Sequence, residues 1–207
     1  MARRRIAQAH CAPQPPLAKL AVVPALFIDL IHYPVVDRNG RTVASAITSL
    51  DLHDLARSAR TYGVSAFYVI HPVPDQREFA SNVVGHWLNS HGRQYDSRRR
   101  EALELVRIVP DLESALDDAE AVASARPLTV HTSARAVGQI SYAAMRARLE
   151  DADGTPLMLL FGTGFGMAPA MRERADLALA PVLGPSTYNH LSVRSAAGII
   201  LDRLRGH

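Results

Sequence analysis

The sequence predicts one open three-layer α/β domain whose central sheet is mostly parallel and sandwiched by helices. Two observations carry that expectation. Short apolar runs alternate along the chain with stretches whose apolar residues recur at helical spacing, the order that builds strand–helix–strand units. The runs are continuous rather than alternating, as strands buried on both faces require. A third observation sets the scale: 207 residues with 48% apolar and 21% charged content can bury a sizeable core.

In chain order, strands are expected at 22–31, 66–71, 105–109, 128–131, 156–161 and 176–182. Between them, Leu52, Leu55, Ala56 and Ala59 mark a helix over 50–62 that Gly63 stops. A second helix over 75–91 is expected to turn Phe79, Val83, Val84, Trp87 and Leu88 to the core. Asp111 caps a third over 111–125, which carries Leu112, Ala115, Leu116 and Ala119. Shorter helices are expected over 141–149 and 167–174, and a last one over 189–204 with one small, apolar side. The basic, proline-interrupted residues 1–19 read as a flexible tail and residues 20–207 as a single domain.

Bulk properties bound the function. Lys and Arg outnumber Asp and Glu by 23 to 20, which permits a polyanionic partner without demanding one. Cys11 is the only cysteine, so an intrachain disulfide and a thiolate metal cage are both excluded, and a reducing, cytoplasmic setting fits. The apolar run from Leu20 to Ile31 contains Pro24 and Asp29 and is too short to span a bilayer. His86 and His91 lack ligand spacing, so no metal is expected.

The sharpest local signal is Phe161-Gly162-Thr163-Gly164-Phe165-Gly166, a buried strand running into three alternate glycines. Such spacing lets a ligand lie against bare backbone, though a tight strand-to-helix turn would use it too. The pattern is G-x-G-x-G rather than the dinucleotide G-x-G-x-x-G, and it comes too late in the chain for that unit. No Lys-Ser/Thr follows to make a phosphate loop. Two other strands end similarly, at Thr132-Ser133-Ala134 and at Leu183-Gly184. In an open α/β sheet, three such loops can converge beyond the carboxyl ends of the strands.

These glycines, the block Tyr188-Asn189-His190-Leu191-Ser192-Val193-Arg194-Ser195-Ala196 and the close Ile199-Ile200-Leu201-Asp202-Arg203-Leu204 closely resemble the SPOUT superfamily of knotted RNA methyltransferases. Within it, the chain is similar to a bacterial family of S-adenosylmethionine-dependent RNA methyltransferases. The blocks His32-Tyr33-Pro34-Val35, Asn39-Gly40, 48–57, Thr61-Tyr62-Gly63 and His86-Trp87 agree, and the resemblance covers Ala21 to the C-terminus. It implies a C-terminal trefoil knot, a feature that periodicity does not reveal. It also implies S-adenosylmethionine bound in the knot, with adenine held by three loops. These map onto Thr132, Ser133 and Ala134; onto Phe161, Gly162, Thr163, Gly164, Phe165 and Gly166; and onto Leu183 and Gly184 with Tyr188, Asn189, His190, Leu191 and Ser192. Phe165, Leu183 and Leu191 would make the apolar slot for adenine. A homodimer through the knot region and tRNA or rRNA as partner are further implications.

Acceptor chemistry is expected on the helix over 50–62. His53 and Arg57 are four apart, and Asp54 and Arg57 three apart, so they neighbour one another. The block from Asp51 to Gly63 resembles the first motif of ribose-methylating relatives, in which an arginine six residues before a glycine helps activate the acceptor; Arg57 stands six before Gly63. Asp51, His53 and Arg57 are therefore the catalytic candidates, against the alternative of a solvated, ion-paired face. Ser49 departs from the usual Thr-Asn-Leu-Asp of relatives. His32, Arg38, Asn39 and Arg194 are candidates for substrate contact. Arg98-Arg99-Arg100 with Arg93, and Arg3 to Arg5, suit phosphate contacts or a solvated loop. The leading expectation is a methyltransferase acting on tRNA or rRNA; the alternative is an S-adenosylmethionine-binding, RNA-associated regulatory module without transfer activity.

Overall fold

A wholly buried apolar hexapeptide interrupted by one acid forms the centre of the sheet: β1 (Leu26–Ile31). The fold is taken from a computed structural model that describes residues 23–89, 96–135, 139–152 and 154–207. The expected tail, Arg3 to Arg5, His91 and Arg93 lie outside the described residues. β1 is followed by a small antiparallel hairpin, β2 (Val35–Val36) and β3 (Thr42–Val43), and by helix α1 (Ser49–Thr61). Next come β4 (Ala66–Ile70), α2 (Pro74–Leu88), α3 (Ser97–Leu103), β5 (Val106–Val109) and α4 (Leu112–Ala123). β6 (Leu128–His131), α5 (Tyr142–Glu150), β7 (Leu157–Gly162), α6 (Pro169–Glu173), β8 (Leu177–Ala178) and α7 (Val193–Arg205) complete the chain.

Among the described residues the main sheet runs β5-β4-β1-β7-β6-β8, and every pairing in it is parallel. All its carboxyl ends therefore lie on one edge, with β7 between β1 and β6. The period-two side-chain alternation of β1 divides the core. Leu26, Ile28 and Leu30 face a layer made by α1, α2, α3, α5 and α7. Phe27 and Ile31 face the other, made by α4 and α6 with Met158, Leu160, Met167 and Met171. Each fully buried Leu, Ile or Phe contributes about 1.5–3 kcal/mol. Asp29 shares the second face; its two carboxylate oxygens are buried with no hydrogen-bond partner among the described residues, and burial pushes its pKa well above the usual carboxylate range.

Local signals explain the helix starts. The hydroxyl of Thr48 accepts the Asp51 N–H, Asp111 accepts the Ser114 N–H, Ser141 the Ala144 N–H and Ser192 the Ser195 N–H. Gly63 ends α1 with a φ of +65°, which favours glycine.

Three expectations need correction. Ser97–Leu103, for which phosphate contacts and a solvated loop were the alternatives, is a full helix, because Asp96 caps Arg98 and Arg99 and because Ala102 and Leu103 reach the core. The strand expected over 176–182 keeps only Leu177–Ala178; Ala180, Pro181 and Val182 peel away to line a cavity. Phe79 is 41% exposed, while Ala80 and Val84 are the residues of α2 that are buried.

Candidate functional site

At the carboxyl edge of the sheet, the ends of β6 and β7 and the segment entering α7 enclose a cavity of about 520 Å³. That is an ordinary size for a small-molecule site. From the β6 loop come His131, Thr132, Ser133, Ala134 and Arg135; from the β7 loop come Phe161, Gly162, Gly164, Phe165, Gly166 and Met167. Asn189, His190 and Leu191 close it, and the Asn189 side-chain amide donates to the Ala134 carbonyl at 3.0 Å, joining two of the loops.

The glycine loop is held by the hairpin. Val36 N–H donates to Gly166 O (2.9 Å), Phe165 N–H to Val36 O (3.1 Å) and Ala168 N–H to Pro34 O (3.0 Å). Gly164 and Gly166 have φ of +60° and +110°. A Cβ on Gly162 would stand 2.8 Å from the backbone nitrogen of Met167. Each glycine is thus required, by conformation or by space. Val36 and Gly40 line the cavity too, so the hairpin is part of its wall. Asn39-Gly40 between short β-formers was a hairpin signal that the sequence reading did not use.

Several expected contacts face elsewhere. The Thr163 hydroxyl bonds Ile31 O (3.1 Å) and Ser45 Oγ (2.5 Å), which turns it away from the cavity and onto β1. Ser192 spends its hydroxyl on the α7 cap. Leu183, Gly184 and Tyr188 are exposed outside the lining; Tyr188 stands edge-on to His190 at 5.3 Å. Arg38 and Asn39 are exposed at the hairpin tip, between Val36 and Gly40, where the Asp37 carboxylate accepts the Asn39 and Arg41 N–H groups.

A polar cluster occupies the same edge, where β1 and β4 end. His32 is buried; its Nδ1 meets Ser45 Oγ at 2.9 Å, its ring lies 5.9 Å from that of His71, and its Nε2 has no partner among the described residues. Burial and the neighbouring His71 charge hold its pKa down at about 4, so the ring is neutral at physiological pH. Asp51 accepts from the Thr48 hydroxyl (2.6 Å) and pairs with Arg194 Nη1 (2.8 Å), whose Nε lies 3.5 Å from Asp54. This pair ties α1 to α7. His53 stands edge-on to Trp87 at 5.6 Å, over whose ring Arg99 lies at 4.5 Å, and burial, then the Arg99 charge, lowers its pKa. Arg57 is exposed, with no ion-pair partner among the described residues. None of Asp51, His53 and Arg57 lines the cavity. Conversely, Arg135 and Arg172 stand in its wall although neither was among the expected site residues, and His131, Met167 and Val182 join it from the strand-end segments.

The donor set suits S-adenosylmethionine. Phe165, Leu191, Val182 and Ile200 are apolar surfaces for a purine, and the bare backbone at Gly164 and Gly166 sits beside them for its polar edge. Residues 25–206 match the family described as SAM-dependent RNA methyltransferase. Over 181 residues the chain is 40% identical to a tRNA (guanine-N(1)-)-methyltransferase of Oleidesulfovibrio alaskensis, covering 87% of this chain and 42% of that one. It therefore spans about two fifths of that relative's length. An uncharacterized protein of Aquifex aeolicus is 37% identical over 86% of this chain and 87% of its own. Among solved structures, a probable methyltransferase from Bordetella pertussis superposes with a TM-score of 0.58 at 18% identity, over 89% of this chain and 94% of that one. The SpoU methyltransferase AviRb from Streptomyces viridochromogenes, in complex with AdoMet, gives 0.51 at 16%, over 88% and 59%. These two likenesses show the fold alone. With its parallel sheet, its glycine-walled cavity and a match running from the start of β1 to the end of α7, the chain belongs to the SAM-dependent RNA methyltransferase family.

Proposed function

We propose that the chain is an S-adenosylmethionine-dependent methyltransferase acting on tRNA or rRNA, with the cofactor in the cavity walled by residues 131–135, 161–162, 164–167 and 189–191. The observation that carries this is the glycine loop, held open against the ligand space by backbone bonds from β2. When bound, S-adenosylmethionine supplies a methyl group on a sulfonium, and much of the catalysis can come from positioning. Thr132 to Ala134, Phe165, Gly166, Asn189 and Leu191 bind and orient. His32, neutral and with a free Nε2, and the Asp51–Arg194 pair stand at the same edge, on the acceptor side. Arg57 remains the candidate for screening or removing the acceptor proton. The guanine-N1 activity named for the relative belongs to a chain more than twice as long as the matched segment, so the proposal rests on the family and not on that acceptor.

The reading extends to a trefoil knot, supported by the insertion of β7 between β1 and β6, and to one domain over residues 20–207 with a basic tail before it. A homodimer through the C-terminal region fits the exposure of Phe165 (69%), Leu183 (66%) and Tyr188 (73%). A cytoplasmic setting fits the single cysteine. The regulatory alternative is favoured by one observation, that Asp51, His53 and Arg57 all stand outside the cavity lining. Titration calorimetry with S-adenosylhomocysteine tests the cavity; no detectable binding would sink both readings. Mass spectrometry of nucleosides from wild-type and deletion strains separates them, a methylated nucleoside disappearing only if the chain is an enzyme. Arg57→Ala is expected to keep cofactor binding and lose methylation.

A further inference from the structure

Several cations on this protein's surface are ion-paired. Arg126 pairs with Glu113, Asp117 and Glu120, Arg60 with Glu101, Arg41 with Asp37 and Arg194 with Asp51. Two arginines line the cavity: Arg135, from the β6 loop, and Arg172, from α6. Neither has an ion-pair partner among the described residues, and no aspartate or glutamate contributes to the lining. The contrast along α6 is local. Arg174, two residues on, pairs with Glu113, whereas Arg172 lines the cavity. His131 lines the cavity beside it, and burial, then the Arg172 charge, lowers its pKa.

A cleft lined by two arginines without ion-pair partners among the described residues, and by no carboxylate among them, suits an anion. Within S-adenosylmethionine only the amino-acid carboxylate is anionic; the ammonium and sulfonium are positive and would be repelled from the same place. We propose that Arg172, assisted by Arg135, receives the methionine carboxylate of the cofactor and so selects the intact amino-acid form. This rests on the cofactor reading of the cavity. An RNA phosphate shares the chemistry, and the test separates the two.

The test compares S-adenosylmethionine with decarboxylated S-adenosylmethionine, which lacks only the carboxylate, by titration calorimetry. The wild-type chain is expected to prefer the intact cofactor by about 10- to 100-fold, the range of a charge-assisted pair. Arg172→Met, which keeps the aliphatic stem, should reduce that preference to threefold or less, and the double variant with Arg135→Met should abolish it. Affinity for the decarboxylated form should be unchanged or higher, which also shows that the variants are folded. Preference retained in the double variant, or absent from the wild-type chain, would overturn the proposal while leaving the cofactor reading intact. Binding of neither compound would remove that reading and this one with it. Weakened binding of a tRNA transcript with the cofactor preference unchanged would assign the arginines to phosphate and overturn it as well.

Discussion

Replacing Gly162 by alanine asks whether the loop's shape depends on close packing at the end of β7. An added Cβ would stand 2.8 Å from both the nitrogen and Cγ of Met167, and 3.3 Å from the Gly166 carbonyl carbon. The Met167 side chain is buried in the layer formed with Met171 and Val35, so it has little room to yield. The backbone nitrogen has less, because Val36 and Pro34 bond the loop at Gly166, Phe165 and Ala168. Overpacking of this kind costs about 1–3 kcal/mol, and losing one of those bonds adds about 1 kcal/mol. A loss of about 2–4 kcal/mol leaves a typical domain folded at room temperature. It lowers Tm by about 4–16 °C at this chain length. Because the displaced loop carries Phe165 and Gly166, affinity for S-adenosylhomocysteine should fall at least about 10-fold, or about 1.4 kcal/mol. Gly63→Ala is the control. Its φ of +65° makes alanine strained, but nothing lies within 4 Å and it is outside the cavity. It should cost about 1–2 kcal/mol with affinity unchanged. A Gly162→Ala chain with wild-type Tm and wild-type affinity would refute the close-packing account.

Two further substitutions probe groups whose environment is unusual. Asp29 has a folded-state pKa raised by burial, whereas the unfolded chain ionises near 3.9. The stability that goes with its protonated form is therefore complete below that pH and lost as pH rises towards the folded value. Asp29→Asn should flatten this decline and raise the urea midpoint at pH 7.5, by about 1–3 kcal/mol in free energy. His32 acts in the opposite sense, losing stability as pH falls from 6.5 through about 4, and it cancels when variant and wild type are compared at each pH. Parallel curves for the two chains would count against the Asp29 account. Thr163→Val removes the bonds to Ile31 O and Ser45. Tm should drop by several degrees, for about 1–2 kcal/mol, while S-adenosylhomocysteine affinity stays within about threefold; a large affinity loss at unchanged Tm would mean that the hydroxyl faces the ligand after all.

What was legible in the sequence follows the range of the interaction. β7 could be read because Leu157-Met158-Leu159-Leu160-Phe161 is a continuous apolar run, and α1 because Thr48 caps it and Gly63 stops it. The glycine loop could be read as backbone built for close approach. α3 was hidden because three successive arginines look like a solvated loop until Asp96 and the buried Leu103 are placed. The contacts that shape the site join residues far apart in sequence, such as Ser45 to Thr163 and Asp51 to Arg194, and no periodicity encodes them. Nothing local in the sequence sets Arg172 apart from Arg174; the position of α6 does.

The alternation of the glycine loop explains how two sets of groups share one edge. Thr163 turns back to β1 and bonds Ile31 O and Ser45, while Phe165 turns outward into the cavity wall and its N–H is held by Val36. The loop is therefore fastened at Thr163 from one side and at Phe165–Gly166 from the other, leaving Gly164 and Gly166 free of side chains where the proposed cofactor would lie. Ser45 is the shared link, since its hydroxyl meets both Thr163 and His32 Nδ1. A displacement of the loop would thus reach His32, whose Nε2 has no other restraint among the described residues. The Asp51–Arg194 pair works in parallel, because Arg194 sits one residue after Val193, which lines the cavity, while Asp51 belongs to α1. Both connections run from the glycine loop or the cavity wall to polar groups outside the lining, one through Ser45 to His32 and one through α7 to Asp51. That is why groups outside the lining are still expected to respond to what the cavity holds.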